Sequence, residues 1–139
     1  MSHISKIELE IHSLEDLKTA CHALGFLFKE GQQTYQWYGR WVGDAPLPKG
    51  FTQEELGTCD HAITVPGCAY EIGIARRGST YLLLWDSWKS GGLEQKIGKD
   101  AGLLKQAYTV ARITRDAKLK RYQVRETKND QTIRLVLRV

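Results

Sequence analysis

The sequence predicts an α+β fold: a two-layer sandwich with an antiparallel or mixed sheet of five to six strands and two helices on one face. Three observations predict it. Apolar residues recur at every second position near both ends of the chain and in its middle. Two intervening segments repeat their apolar residues at steps of three and four. These segments mix without strict alternation, in the order β-α-β-(loop)-β-β-α-β-β, which favours α+β over a doubly wound parallel sheet.

In residues 4–11, Ile7, Leu9 and Ile11 alternate with Lys6, Glu8 and Glu10, the period of a half-buried strand. Ser13 then stands as a helix N-cap, with Asp16 in the first turn. Leu14, Leu17, Cys21 and Leu24 form one helical face, and Gly25 is placed to close that helix. A second strand is expected to begin near Phe26 or Leu27. Tyr35, Trp37, Tyr38 and Trp41 crowd together next, with Tyr35 and Trp37 on one face of any strand formed there. Pro46, Pro48 and Gly50 break all regular period. Residues 43–62 read as a long loop or insertion lying over the sheet, overlapping an excursion of about 36–61, and Thr52 and the residues after it cap one turn. Loops of that length are often functional.

A hairpin follows, in which 70–75 and 80–85 flank Arg76-Arg77-Gly78-Ser79. Leu82, Leu83 and Leu84 are consecutive, so their strand is expected to be central and covered on both faces. Residues 93–121 hold the longest helical pattern. Ile97, Ala101, Leu104, Tyr108 and Ala111 make its stripe, and Leu103, Ala107 and Val110 widen it. Gly98 and Gly102 each cost about 1 kcal/mol relative to alanine, so the firm part is expected from Lys99 or Asp100. Arg112 and Asp116 are spaced to pair across a turn. A last hairpin turns at Asn129-Asp130. Tyr122, Val124 and Glu126 share a face on its first strand. On its second strand Ile133, Leu135, Leu137 and Val139 face inward and Arg134 and Arg138 outward, where they would blunt edge pairing.

The chain has 139 residues, of which 42% are hydrophobic and 26% charged. That suits one globular domain over 1–139 and argues against disorder. No apolar run approaches the roughly 18 residues of a spanning helix, and the start lacks the pattern of a secretory signal. Three cysteines, an odd number, fit a reducing compartment, so a cytoplasmic location is expected. Charge is uneven: residues 1–70 carry five Lys/Arg against nine Asp/Glu, and residues 71–139 fifteen against seven. Such asymmetry suits an anionic partner of the second half, or a set of solvated polar faces.

Several segments resemble the domain-of-unknown-function family that includes the plastid and cyanobacterial "hypothetical chloroplast reading frame thirty-five" proteins. They are Met1-Ser2-His3-Ile4, Leu24-Gly25, the run Val65-Pro66-Gly67-Cys68-Ala69-Tyr70-Glu71-Ile72-Gly73, Trp85-Asp86-Ser87-Trp88, Leu104-Lys105-Gln106-Ala107-Tyr108, and the run from Asp130 to Leu137. Residues 36–60 exceed the family core, and Lys120-Arg121 stand where members tend to have a glycine. The resemblance implies this fold and a small soluble accessory protein, of a kind found in bacteria, plastids and some viruses. It implies no catalytic residue.

Among candidate sites, Cys59, His61 and Cys68 make a Cys-x-His with a following Cys. Thiolates and imidazole suit zinc, but a structural site wants four ligands in paired short spacings, so neither a metal nor another cofactor is expected. Cys59 with His61 is also the local nucleophile–base pair. Strand alternation would set both on one face about 7 Å apart, too far for direct proton transfer, which leaves a zinc-dependent or cysteine hydrolase as a third class. The leading candidate is an aromatic-basic surface. Tyr35, Trp37, Tyr38, Arg40 and Trp41 combine stacking rings with a cation, and Arg76, Arg77, Trp88 and Lys89 join them if the two segments meet. At least two of the tryptophans also suit the core. The expected function is that of a non-enzymatic binding or accessory protein that recognises a protein partner or a small phosphorylated ligand through 36–61 and the hairpin tip at 76–79. The rival class is a nucleic-acid binder using the basic second half. A homo-oligomer through the aromatic segment fits either.

Overall fold

The computed structural model describes residues 4–39, 46–120, 123–129 and 132–138. The fold is α+β. Five antiparallel strands form the main sheet: β1 (Ile4–Ile11), β2 (Leu27–Lys29), β3 (His61–Thr64), β4 (Glu71–Arg77) and β5 (Thr80–Asp86). Their order across the sheet is β1-β5-β4-β3-β2. Each neighbour pair is antiparallel, so β1 and β2 run the same way at opposite edges. Helix α1 (Leu14–Leu24) makes the crossing between them.

Ser13 caps α1 as expected, its hydroxyl accepting from the Asp16 N–H at 3.2 Å. At the other end Gly25 takes φ 77°, a left-handed conformation that costs glycine little. The second helical segment is not continuous. It comprises α2 (Leu93–Ile97), a 3-10 turn at Lys99–Ala101, and α3 (Gly102–Leu119). Asp100 and Ala101 both have positive φ, so regular helix starts only at Gly102, later than the expected Lys99 or Asp100. Asp116 pairs with Lys120 at 3.1 Å, not with Arg112.

The sheet is buried on both faces. On one, Ile7, Ile11, Ile63, Ile72, Ile74, Leu83 and Trp85 pack against Leu17, Ala20 and Cys21 of α1 and Leu104 and Tyr108 of α3. On the other, Ile4, Ala62, Ala75 and Leu84 lie under Tyr35, Phe51 and Leu56. The excursion therefore does lie over the sheet, and it supplies part of the core. Its 3-10 turn at Gln53–Glu55 is closed by the Thr52 N–H donating to Glu55 Oε1 at 2.9 Å. Its last residues differ from expectation: His61–Thr64 is strand, not loop. Ala62 and Ile63 are buried on opposite faces, and a strand covered on both sides shows no alternation to read.

The C-terminal hairpin, β6 (Gln123–Asn129) with β7 (Thr132–Arg138), is a separate two-stranded sheet and does not extend the main one. Its turn at Asp130 lies outside the described residues, as do Tyr122 and Val139.

Candidate functional site

A groove of about 650 Å³ lies between α1, α3 and the C-terminal hairpin. It exists because both helices are apolar over more than the stripe that meets the sheet. Helix α3 gives Leu104 and Tyr108 to the core and turns Leu103, Val110 and Leu119 toward the groove. Helix α1 adds Ala23 and Leu24, and β7 adds Ile133. The α3 wall runs from Leu103 to Leu119, about 24 Å at 1.5 Å per residue. Leu119 is 72% exposed, a large apolar group in water at the groove's end.

The polar part of the wall is organised by one ion pair. Asp16 is buried, and Arg115 grips it with Nε to Oδ1 at 2.7 Å and Nη2 to Oδ2 at 3.0 Å. This fork-to-fork geometry is the strongest form such a contact takes. The carboxylate in turn raises the Arg115 pKa further above its ordinary value, chiefly through the hydrogen bond and then through charge. Glu15, Lys118 and Glu126 complete the charged rim.

The expected aromatic-basic surface is divided. Asp86, fully buried, joins one part of it, because its Oδ2 accepts from the Tyr38 N–H at 3.1 Å and its Oδ1 from the Trp88 N–H at 3.0 Å. Tyr38 and Lys89 are exposed here, and Trp88 is half-buried. Arg76 and Arg77 lie at the opposite end of β4 and β5, where Arg77 pairs with Thr80 in register. Six strand residues separate that end from Asp86, about 20 Å. Arg77 there faces the Phe51 ring at 4.4 Å and Glu55 at 3.2 Å. Tyr35 is a correction: it is 3% exposed and belongs to the core of the second face. The absence of a side chain at Gly73 makes its place, since a Cβ there would overlap the Tyr35 ring. Its hydroxyl has no hydrogen-bond partner among the described residues, and burial pushes its pKa up to about 12. Trp37 packs half-buried beside it. Arg40 and Trp41 lie outside the described residues.

Cys59, His61 and Cys68 are not brought together. Cys59 packs on the Tyr35 side of the sheet and donates to the Gln32 carbonyl at 3.2 Å. His61 lies on the helix side between Phe28 and Tyr81, its Nδ1 accepting from the Gly31 N–H at 2.9 Å. The expected shared face fails because Asp60 bends the chain before β3 begins. Among the described residues no three His, Cys, Asp or Glu side chains gather as metal ligands. Burial pushes Cys59 up to about 11 and Cys21 to about 12. Both are therefore protonated near neutrality and poor nucleophiles.

The groove was not singled out by sequence reasoning, although the widening of the α3 stripe by Leu103, Ala107 and Val110 was its signal. Asp16 gave none, because an acidic residue in a first helical turn is ordinary. Among the described residues no helix is long and apolar enough to cross a membrane. Compared with protein-family models, curated proteins and solved structures, the chain finds no match.

Proposed function

We propose that this chain is a binding protein without bond chemistry, and that it takes the apolar face of a partner protein's amphipathic helix into the groove between α1, α3 and β7. One observation carries the reading: α3 lines the groove with Leu103, Ala107, Val110, Ala111 and, beyond a polar stretch at Thr114, Arg115 and Lys118, Leu119. A trough about 24 Å long suits roughly four turns of helix better than a compact metabolite. Helix-in-groove recognition uses such a trough, with anchors at i, i+3 or i+4, and i+7. The rim carries both signs, Glu15 and Glu126 against Lys118, so it can set the register of a partner with charges along its flanks. A phosphorylated small ligand is less well served, because Arg76 and Arg77 stand at the other end of the sheet from Tyr38 and Trp88. The accessory role implied by the family resemblance agrees with partner binding.

Selection from a library of displayed amphipathic helices tests the reading. Selected peptides should share apolar residues at helical spacing. Their binding should be lost with Val110→Arg, which fills the trough, and kept with Leu27→Arg, which changes an exposed sheet edge. Binding that survives Val110→Arg, or peptides without the spacing, would overturn it.

A further inference from the structure

The apolar wall of the groove is interrupted by one polar station. On α3 the apolar residues stop at Ala111 and resume at Leu119, with Thr114, Arg115 and Lys118 between them. On α1 the station takes Asp16 and, one turn on along the same face, Thr19. Hydrogen-bonding capacity is left over here. Arg115 uses Nε and Nη2 on the two oxygens of Asp16. Its Nη1, with two further N–H donors, bonds no residue among those described. Asp16 is itself buried, so it fixes the guanidinium plane and with it the direction of the Nη1 edge. The Thr19 hydroxyl donates to the Glu15 carbonyl at 3.0 Å, and its oxygen can still accept. The Thr114 hydroxyl also has no bond among the described residues.

An occupant that covers this station takes its water away, and a donor buried without a partner is costly. An aliphatic side chain there would leave the Nη1 donors unbonded. A carboxylate would accept from Nη1 but has no N–H for the threonine oxygens. It also meets no excess of positive charge, because Arg115 and Lys118 stand against Glu15, Asp16 and Glu126 around the groove. A side-chain amide does both jobs: its oxygen accepts from Nη1 and its NH₂ donates to a threonine oxygen. One such polar residue in an otherwise apolar helix face fixes register.

We infer, on the reading of this groove as a helix site, that the partner's helix carries one Gln or Asn within its apolar face and seats it on the Nη1 edge of Arg115. Spacing along α3 places that residue. Arg115 stands four positions from Ala111 and from Leu119, and eight from Ala107, about 6 and 12 Å along the axis. A helix lying along α3 rises equally per residue. Its apolar anchors therefore fall about one turn to either side of the amide, and again about two turns away toward Ala107.

The test is calorimetric titration of the full chain with synthetic helical peptides of about 21 residues. Each carries leucine at i−7, i−4, i+4 and i+7 around a central position i, a spacing that serves either direction in the groove. The central residue is Gln, Leu or Glu, and the other positions are charged or alanine. The Gln peptide should bind about tenfold tighter than the Leu and Glu peptides. Asp16→Leu with Arg115→Met removes the station without stranding a charge, and in that chain the Leu peptide should bind at least as tightly as the Gln peptide. Equal binding of the Gln and Leu peptides by the unaltered chain, tighter binding of the Glu peptide, or a Gln preference that survives the double substitution would overturn the inference and leave the groove reading standing. Binding of none of the peptides would overturn both. Should the double variant fail to fold, the guanidinium N–H resonances of Arg115 in the unaltered chain decide. A shift with the Gln peptide and not with the Leu peptide supports the amide contact, and the same response to both overturns it.

Discussion

Arg115 on α3 reaches back 99 residues along the chain to hold Asp16 in the first turn of α1, through two hydrogen bonds to its two carboxylate oxygens. The contact ties the two helices across the groove and satisfies a carboxylate that is 2% exposed. Burial of the acid makes the pair matter more than a surface salt bridge would.

Arg115→Ala should therefore destabilise the fold, since it strands a buried negative charge. Asp16→Asn should cost less, because the amide keeps a hydrogen-bonding oxygen for the guanidinium and removes the charge that needs burying. Urea unfolding at neutral pH measures both. Equal losses would show that the charge itself carries no special cost.

Tyr35 and Gly73 give the reverse kind of prediction. The Tyr35 hydroxyl is buried and unpartnered among the described residues, so Tyr35→Phe should leave stability unchanged or raise it by up to about 1 kcal/mol. Gly73→Ala sets a methyl into the Tyr35 ring and should cost about 1–3 kcal/mol. The same change beside Tyr35→Ala should cost much less, because the ring is gone. Thermal unfolding of the four chains checks this, and additive losses would mean that the two residues are uncoupled.

Cys21, Cys59 and Tyr35 predict loss of stability in alkali. Burial raises Cys21 from 9.0 to about 12, Cys59 from 9.0 to about 11 and Tyr35 from 10.0 to about 12. The folded chain thus keeps protons that the unfolded chain has released. Stability from these groups is complete below pH 9 and declines as pH rises from 9 toward 12. Denaturation curves taken across that window should show the decline, and Tyr35→Phe should reduce it above pH 10. In the folded protein at neutral pH a thiol reagent should reach half-buried Cys68 and Cys59 before buried Cys21. Labelling that begins at Cys21 would contradict the packing of α1.

Much of the fold was legible because its signals are local. The step of Leu14, Leu17, Cys21 and Leu24, the cap at Ser13 and the glycine at 25 each specify α1 without reference to the rest of the chain. The run Leu82-Leu83-Leu84 marked a strand covered on both sides, and β5 is one, with Leu83 on the helix side and Leu84 under the excursion. What escaped depends on distant residues. His61–Thr64 is too short and too evenly buried to show a period. Left-handed Asp100 and Ala101 break a stripe that is otherwise continuous in sequence. The candidate site was the least legible part. Composition could gather aromatic and basic residues, but only the sheet register puts Arg76 and Arg77 far from Trp88, and only tertiary packing turns Asp16 inward.

The pairing of β1 has a consequence for how the molecule is made. Ile4 sits beside Asp86 and Ile7 beside Leu83, so β1, made before the other strands of its sheet, waits for the last of them before it has a neighbour. Closure of long loops before any contact rewards them slows folding, and an unpaired apolar strand is exposed to aggregation meanwhile. A newly made chain stays vulnerable until β5 has emerged, and α1 alone can shield its first segment during that interval.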